Sequence, residues 1–68
     1  MSKKGIPSYT KFENILLKNE KTVADVVRET SVDGSTLSHW KAGDYAPKTE
    51  KLFAIARFLG VSLEALLD

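Results

Sequence analysis

Cysteine is absent from this 68-residue chain, and histidine occurs once. Disulfides and thiolate metal sites are therefore excluded, and a lone imidazole leaves a zinc ion without companion ligands. There is no Gly-rich phosphate loop, no credible nucleophile beside a base, and too short a chain to enclose a substrate pocket. Neither an enzyme nor a cofactor is expected. No apolar run approaches the roughly 20 residues of a membrane-spanning helix, and Met1–Ile6 is too short and polar for a signal peptide. Charge of one sign is scarce as well: ten Lys plus Arg against nine Asp plus Glu leave a formal +1. That excludes a nonspecific polycation and is silent on a local basic patch. A reducing, cytoplasmic location suits the composition.

What the chain does contain is helical periodicity. Met1–Pro7, with two lysines, a glycine and a proline, reads as a flexible N-terminal arm, and residues 8–68 as one domain. Tyr9, Phe12, Ile15 and Leu16 mark a first helix ending near Lys18–Asn19, with Asn19 as a left-handed cap. Val23, Val26 and Val27 mark the inner side of a second, where three β-branched residues make tertiary packing necessary. Leu37 and Trp40 anchor a third. Leu52, Ile55, Ala56 and Leu59 recur at i, i+3, i+4, i+7, the strongest amphipathic signal present. Gly60 ends that helix, and Ser62 opens a last one carrying Leu63, Leu66 and Leu67. No strand alternation or repeat intervenes. An all-α globule of five short helices follows, with Phe12, Leu16, Val26, Val27, Val32, Leu37, Trp40, Leu52, Ile55, Ala56 and Leu59 as its core.

The centre of this pattern is Thr22 to Gly43, two short helices separated by a bend at Thr30–Asp33. Thr22 can cap the first, with Asp25 three residues on completing a weak capping box. Asp33 can cap the second, and Gly43 closes it. At about 100° per residue, Ser35, Ser38, His39 and Ala42 fall opposite the side held by Leu37 and Trp40. That face has hydrogen-bonding groups and no large apolar residue.

The segments TVADV, STLSHWKAG, AP and IARFLGVSLEALL resemble the helix-turn-helix domain of the phage-repressor and Cro class, an XRE-like family. Tyr9 and Phe12 are similar to a pattern in repressors of Gram-positive temperate phages and mobile elements. The resemblance implies a lambda-repressor-like five-helix domain whose third helix, about Gly34 to Ala42, enters the DNA major groove. It implies base contacts from Gly34, Ser35, Ser38 and His39, and phosphate contacts from Thr22, Val23, Lys41 and Lys48. Lys21 and Lys4 can extend the same stripe. The sequence departs from the family pattern at four positions. Val23 stands where a phosphate-binding glutamine is frequent. Ser31 stands at a bend glycine and implies a left-handed serine. Val27 replaces a small alanine at a helix crossing, and Gly34 brings no side chain to a reading position.

Each candidate has a plainer role beside it. Trp40 is core rather than a stacking platform. His39 serves equally as a base or phosphate contact or as a solvated surface histidine, and Ser38 can bond back to its own helix. Asp33 and Asp44 place negative charge at both ends of the reading helix and oppose DNA binding, although backbone donors can neutralise a capping Asp33. Phe58, Val61, Leu66 and Leu67 form a candidate patch for homodimerisation, which would allow two half-sites roughly 10 bp apart to be read. The expected function is sequence-specific duplex DNA binding by a phage or mobile-element repressor acting on an operator. The alternative is an antitoxin-like or adaptor module that binds a partner protein.

Overall fold

Four α-helices and a terminal 3₁₀ turn make up the regular structure of the computed structural model, which describes residues 5–68. The helices are α1 (Tyr9–Lys18), α2 (Val23–Glu29), α3 (Gly34–Ala42) and α4 (Thr49–Leu59). The expected fifth helix is the 3₁₀ turn Leu63–Leu66. Only six residues separate the Gly60 stop from Leu67, and the regular part of them is the four-residue turn after Ser62, too short for an α-helical ladder.

Burial follows the apolar spacing. Leu52, Ile55, Ala56 and Leu59 of α4 are buried, as are Phe12 and Leu16 of α1, Val26 of α2, and Leu37 and Trp40 of α3. Val32 fills the bend and Leu66 the terminal turn, each almost fully enclosed. Trp40 joins α3 to α1 through a small aromatic cluster. It stacks on Phe12 at 5.1 Å between centroids and meets Tyr9 edge-on at 5.4 Å, geometries that suit the ring quadrupoles.

One expected core residue is not there. Val27 is 37% exposed. Val26 takes the inward position on α2, and Val27, about 100° further round, lies at the edge beside Gly34. A Cβ placed on Gly34 would sit 3.9 Å from the Val27 side chain, so the glycine itself leaves the valine uncovered.

The helix ends show which residues carry the turns. Gly43 (φ 88°) and Gly60 (φ 71°) are left-handed and close α3 and α4. In each case the following residue donates back to the helix: Asp44 N–H to the His39 carbonyl at 2.9 Å, Val61 N–H to Ala56 at 3.0 Å. This is the Schellman arrangement. α1 ends the same way one residue later than Asn19. Asn19 has φ −99°, and the left-handed residue is Glu20 at φ 55°, with Lys21 N–H bonded to the Leu16 carbonyl at 2.9 Å.

The bend between α2 and α3 needs no left-handed residue at all, since Glu20 is the only non-glycine residue with positive φ among those described. Instead Thr30 is extended (φ −126°, ψ 177°). Its hydroxyl donates to the Val26 carbonyl at 2.7 Å and accepts the Val32 N–H at 3.2 Å. Lys51 reaches across from α4 to the Ser31 carbonyl at 3.2 Å. A braced, extended bend replaces the strained serine.

The loose-arm expectation is corrected at residues 5–7. Gly5 N–H donates to the Asp68 carbonyl, Asp68 N–H to Ile6, and Ser8 N–H to Leu66, each at 2.8 Å. Pro7 and Leu67 form an antiparallel bridge. Met1–Lys4, including the Lys4 assigned to the phosphate stripe, lie outside the described residues.

Candidate nucleic-acid interface

α3 has little intrinsic reason to be a helix, because Gly34, Ser35, Thr36, Ser38 and His39 are weak helix formers. Its caps and two buried anchors hold it. Asp33 accepts the Thr36 N–H at 2.8 Å, and the Thr36 bonds hold the Asp33 carboxyl below the usual carboxylate range. Leu37 and Trp40 fix the inner side. Ser35, Ser38, Lys41 and Ala42 consequently stand exposed, with Gly34 and His39 partly covered. Sequence spacing and structure agree on this face.

α2 lies alongside, opened by the expected capping box. Thr22 Oγ1 accepts the Asp25 N–H at 3.2 Å, and the Asp25 carboxylate accepts the Thr22 N–H at 2.9 Å. The Thr22 hydroxyl retains its own proton for a further acceptor. The backbone bond to Thr22 and the Arg28 side chain hold the Asp25 carboxyl low. Val23 is half-buried against the core, leaving its backbone as its polar part.

Of the lysines, Lys41 and Lys48 are exposed at the C-terminal end of α3 and the start of α4. Lys21 is exposed too, with its ammonium 5.4 Å from the centre of the Phe58 ring. That contact helps cover Phe58, which is half-buried. The aromatic left exposed on α4 is Phe53, at 52%. Leu66 is fully buried, and Leu67 is engaged in the bridge to Pro7. Of the expected dimer patch, Leu66 is therefore withdrawn into the core, and Phe58, Val61 and Leu67 stay half-buried at the surface.

Two features of the site escaped sequence reasoning. His39 Nδ1 lies 2.8 Å from Asp44 Oδ2, so the acidic residue expected to oppose DNA binding has a partner on α3. Tyr45 stacks on the same imidazole, 4.8 Å between centroids and 21° between planes. The signal was latent in the helix stop: a left-handed Gly43 turns the chain back and sets residue 44 over residue 39. A groove of about 360 Å³ runs beside this loop, lined by Thr36, Tyr45, Ala46, Lys48 and Lys51 among others.

A helix-turn-helix family model matches residues 12–66, which takes in α1 from Phe12 onward, all of α2, α3 and α4, and the bend between α2 and α3. The chain belongs to the helix-turn-helix family. No curated protein and no solved structure matches it. As a helix-turn-helix domain it is of the kind found in DNA-binding transcription regulators, and α2 and α3 are the pair that gives the family its name. No helix among the described residues is long and apolar enough to cross a membrane.

Proposed function

We propose that this helix-turn-helix domain is a sequence-specific repressor of the phage or mobile-element type, a DNA-binding module without catalytic activity or cofactor. α3 enters the major groove of an operator. Ser35, Ser38 and His39 reach base edges, and Gly34 lets the backbone approach. Thr22, the Val23 N–H, Lys41 and Lys48 lie along phosphates, and Lys21 adds charge beside them. Occupying an operator that overlaps a promoter gives repression, in the cytoplasm where the DNA is. The observation that carries this reading is the outer face of α3. It holds small polar side chains on a helix whose other side is locked by Leu37 and Trp40, and both flanking acids, Asp33 and Asp44, are already paired.

Selection from random duplexes at two salt concentrations tests it. The proposal expects an enriched motif and an affinity that falls steeply with salt. A two-fold motif with half-sites roughly 10 bp apart would make the bound species a homodimer, and a single half-site a monomeric reader. No enrichment, with negligible binding at low salt, would contradict the proposal.

One observation favours the alternative, a module that docks a partner protein. Leu17 is 71% exposed, beside a shallow groove of about 580 Å³ lined by Lys11, Asn14, Ile15, Lys18 and Ala65. Leu17→Ser leaves duplex binding unchanged if α3 is the working surface.

A further inference from the structure

The structure assigns Asp44 as a positioning residue that fixes His39 in one tautomer and so decides which bases it reads. This inference rests on the reading of α3 as the DNA-contacting helix.

The chemistry follows from two nitrogens on opposite edges of one ring. An ionised carboxylate only accepts hydrogen bonds. With Asp44 Oδ2 at 2.8 Å, Nδ1 must therefore carry the proton and donate it. In the neutral imidazole Nε2 is then a lone-pair acceptor. Nε2 has no partner among the described residues, and the side chain is 45% exposed. In the major groove an acceptor meets its complement in an exocyclic amine, the N4 of cytosine or the N6 of adenine. It opposes the O6 and N7 of guanine and the O4 of thymine, which are acceptors themselves. Free imidazole favours the other tautomer, whose Nε2–H would select the opposite set.

Two structural features hold the geometry in place before DNA arrives. The left-handed Gly43 and the Asp44 N–H bond to the His39 carbonyl, 2.9 Å, bring residues 39 and 44 together through the backbone. Tyr45 stacks on the ring and restricts its rotation. The carboxylate that is unfavourable to phosphate in general is thereby turned toward the reading helix, where it selects.

The test is random-duplex selection at pH 8 with the wild type, Asp44→Ala and His39→Ala, together with ¹⁵N NMR of the imidazole. Asp44 is exposed, so its replacement leaves the core intact. Wild-type protein is expected to show the Nδ1–H tautomer and a preference for cytosine or adenine at one motif position. Asp44→Ala is expected to shift the spectrum toward the Nε2–H tautomer. It should also lower discrimination at that position by about three- to tenfold, with the remainder of the motif retained. His39→Ala is expected to lose the same preference. Loss of the Asp44 charge alone acts on every duplex alike, moving affinity without moving base preference. An Nε2–H tautomer in the wild type, or a base preference unchanged in Asp44→Ala, would overturn the assignment while leaving DNA recognition by α3 in place. If the wild type enriches no duplex, the DNA reading itself fails and the selecting role of Asp44 fails with it. The imidazole spectrum then still reports whether the pair forms.

Discussion

The helix-turn-helix pair and α4 are held by different means. α4 buries four of its eleven residues and has no side-chain cap bond at its start. α2 buries one residue of seven and α3 two of nine, yet both are capped by side chains at their N-termini, while left-handed glycines close α3 and α4 alike. Burial holds the scaffold helix, and end bonds carry a larger share for the pair. The physical consequence is that α3 can leave most of its surface uncommitted. A helix that needed four inward anchors would have little circumference left to present small polar groups to a partner.

The contrast predicts a graded response to substitution. Ile55→Ala in α4 should remove about 2–5 kcal/mol, a large part of what so small a domain has to lose, and chemical denaturation should find it largely unfolded. Gly43→Ala forces a left-handed alanine at the α3 stop and should cost roughly 1–2 kcal/mol, read as a lower midpoint with an unchanged m-value. Glu20→Gly should do the opposite. It relieves a left-handed glutamate at the end of α1 and, after the greater freedom of glycine in the unfolded chain, should stabilise by up to about 1 kcal/mol.

Acid should weaken the pair without touching α4's burial. The capping carboxylates Asp25 and Asp33 are both held below their ordinary range by the bonds they accept. Their contribution is thus fully present above the unfolded carboxylate value and is lost as pH falls through the lower folded values. Asp33 is exposed and Asp25 only partly covered, so the loss is small. Substituting Asp33 by Asn, which still caps, should flatten that part of the thermal stability profile measured from pH 5 to pH 2. Smallest of all, Ser35→Ala with Ser38→Ala should change stability by no more than about 0.5 kcal/mol, while duplex affinity falls. That pair of substitutions separates holding from reading most sharply.

How much of this was legible in the sequence follows the same division. Apolar spacing in α4 and the anchors Leu37 and Trp40 state their roles directly, because burial leaves a periodic trace. Thr22, Asp33 and Gly43 are legible for a related reason: caps use few residue types. The misplaced elements are those where a generic rule met a specific brace. Ser31 needed no left-handed backbone once Thr30 bonded both sides of the bend and Lys51 crossed to it. Val27 was expected inside on helical spacing, but the missing side chain of Gly34 leaves it uncovered. Leu66 was expected in a surface patch, but the terminal turn sets it fully inside the core. Contacts between Asp44, Tyr45 and His39 left no periodic trace, since they depend on how the chain turns after Gly43.

The most direct measurement is a two-dimensional ¹⁵N–¹H NMR titration of the domain with its enriched duplex. The account predicts that the largest amide shifts fall on Gly34 to Ala42, the start of α2 and Lys48, with the outer face of α1 unmoved. Shifts centred on Leu17, Lys18 and Ala65, with α3 unmoved, would contradict it and place the working surface on the groove beside Leu17.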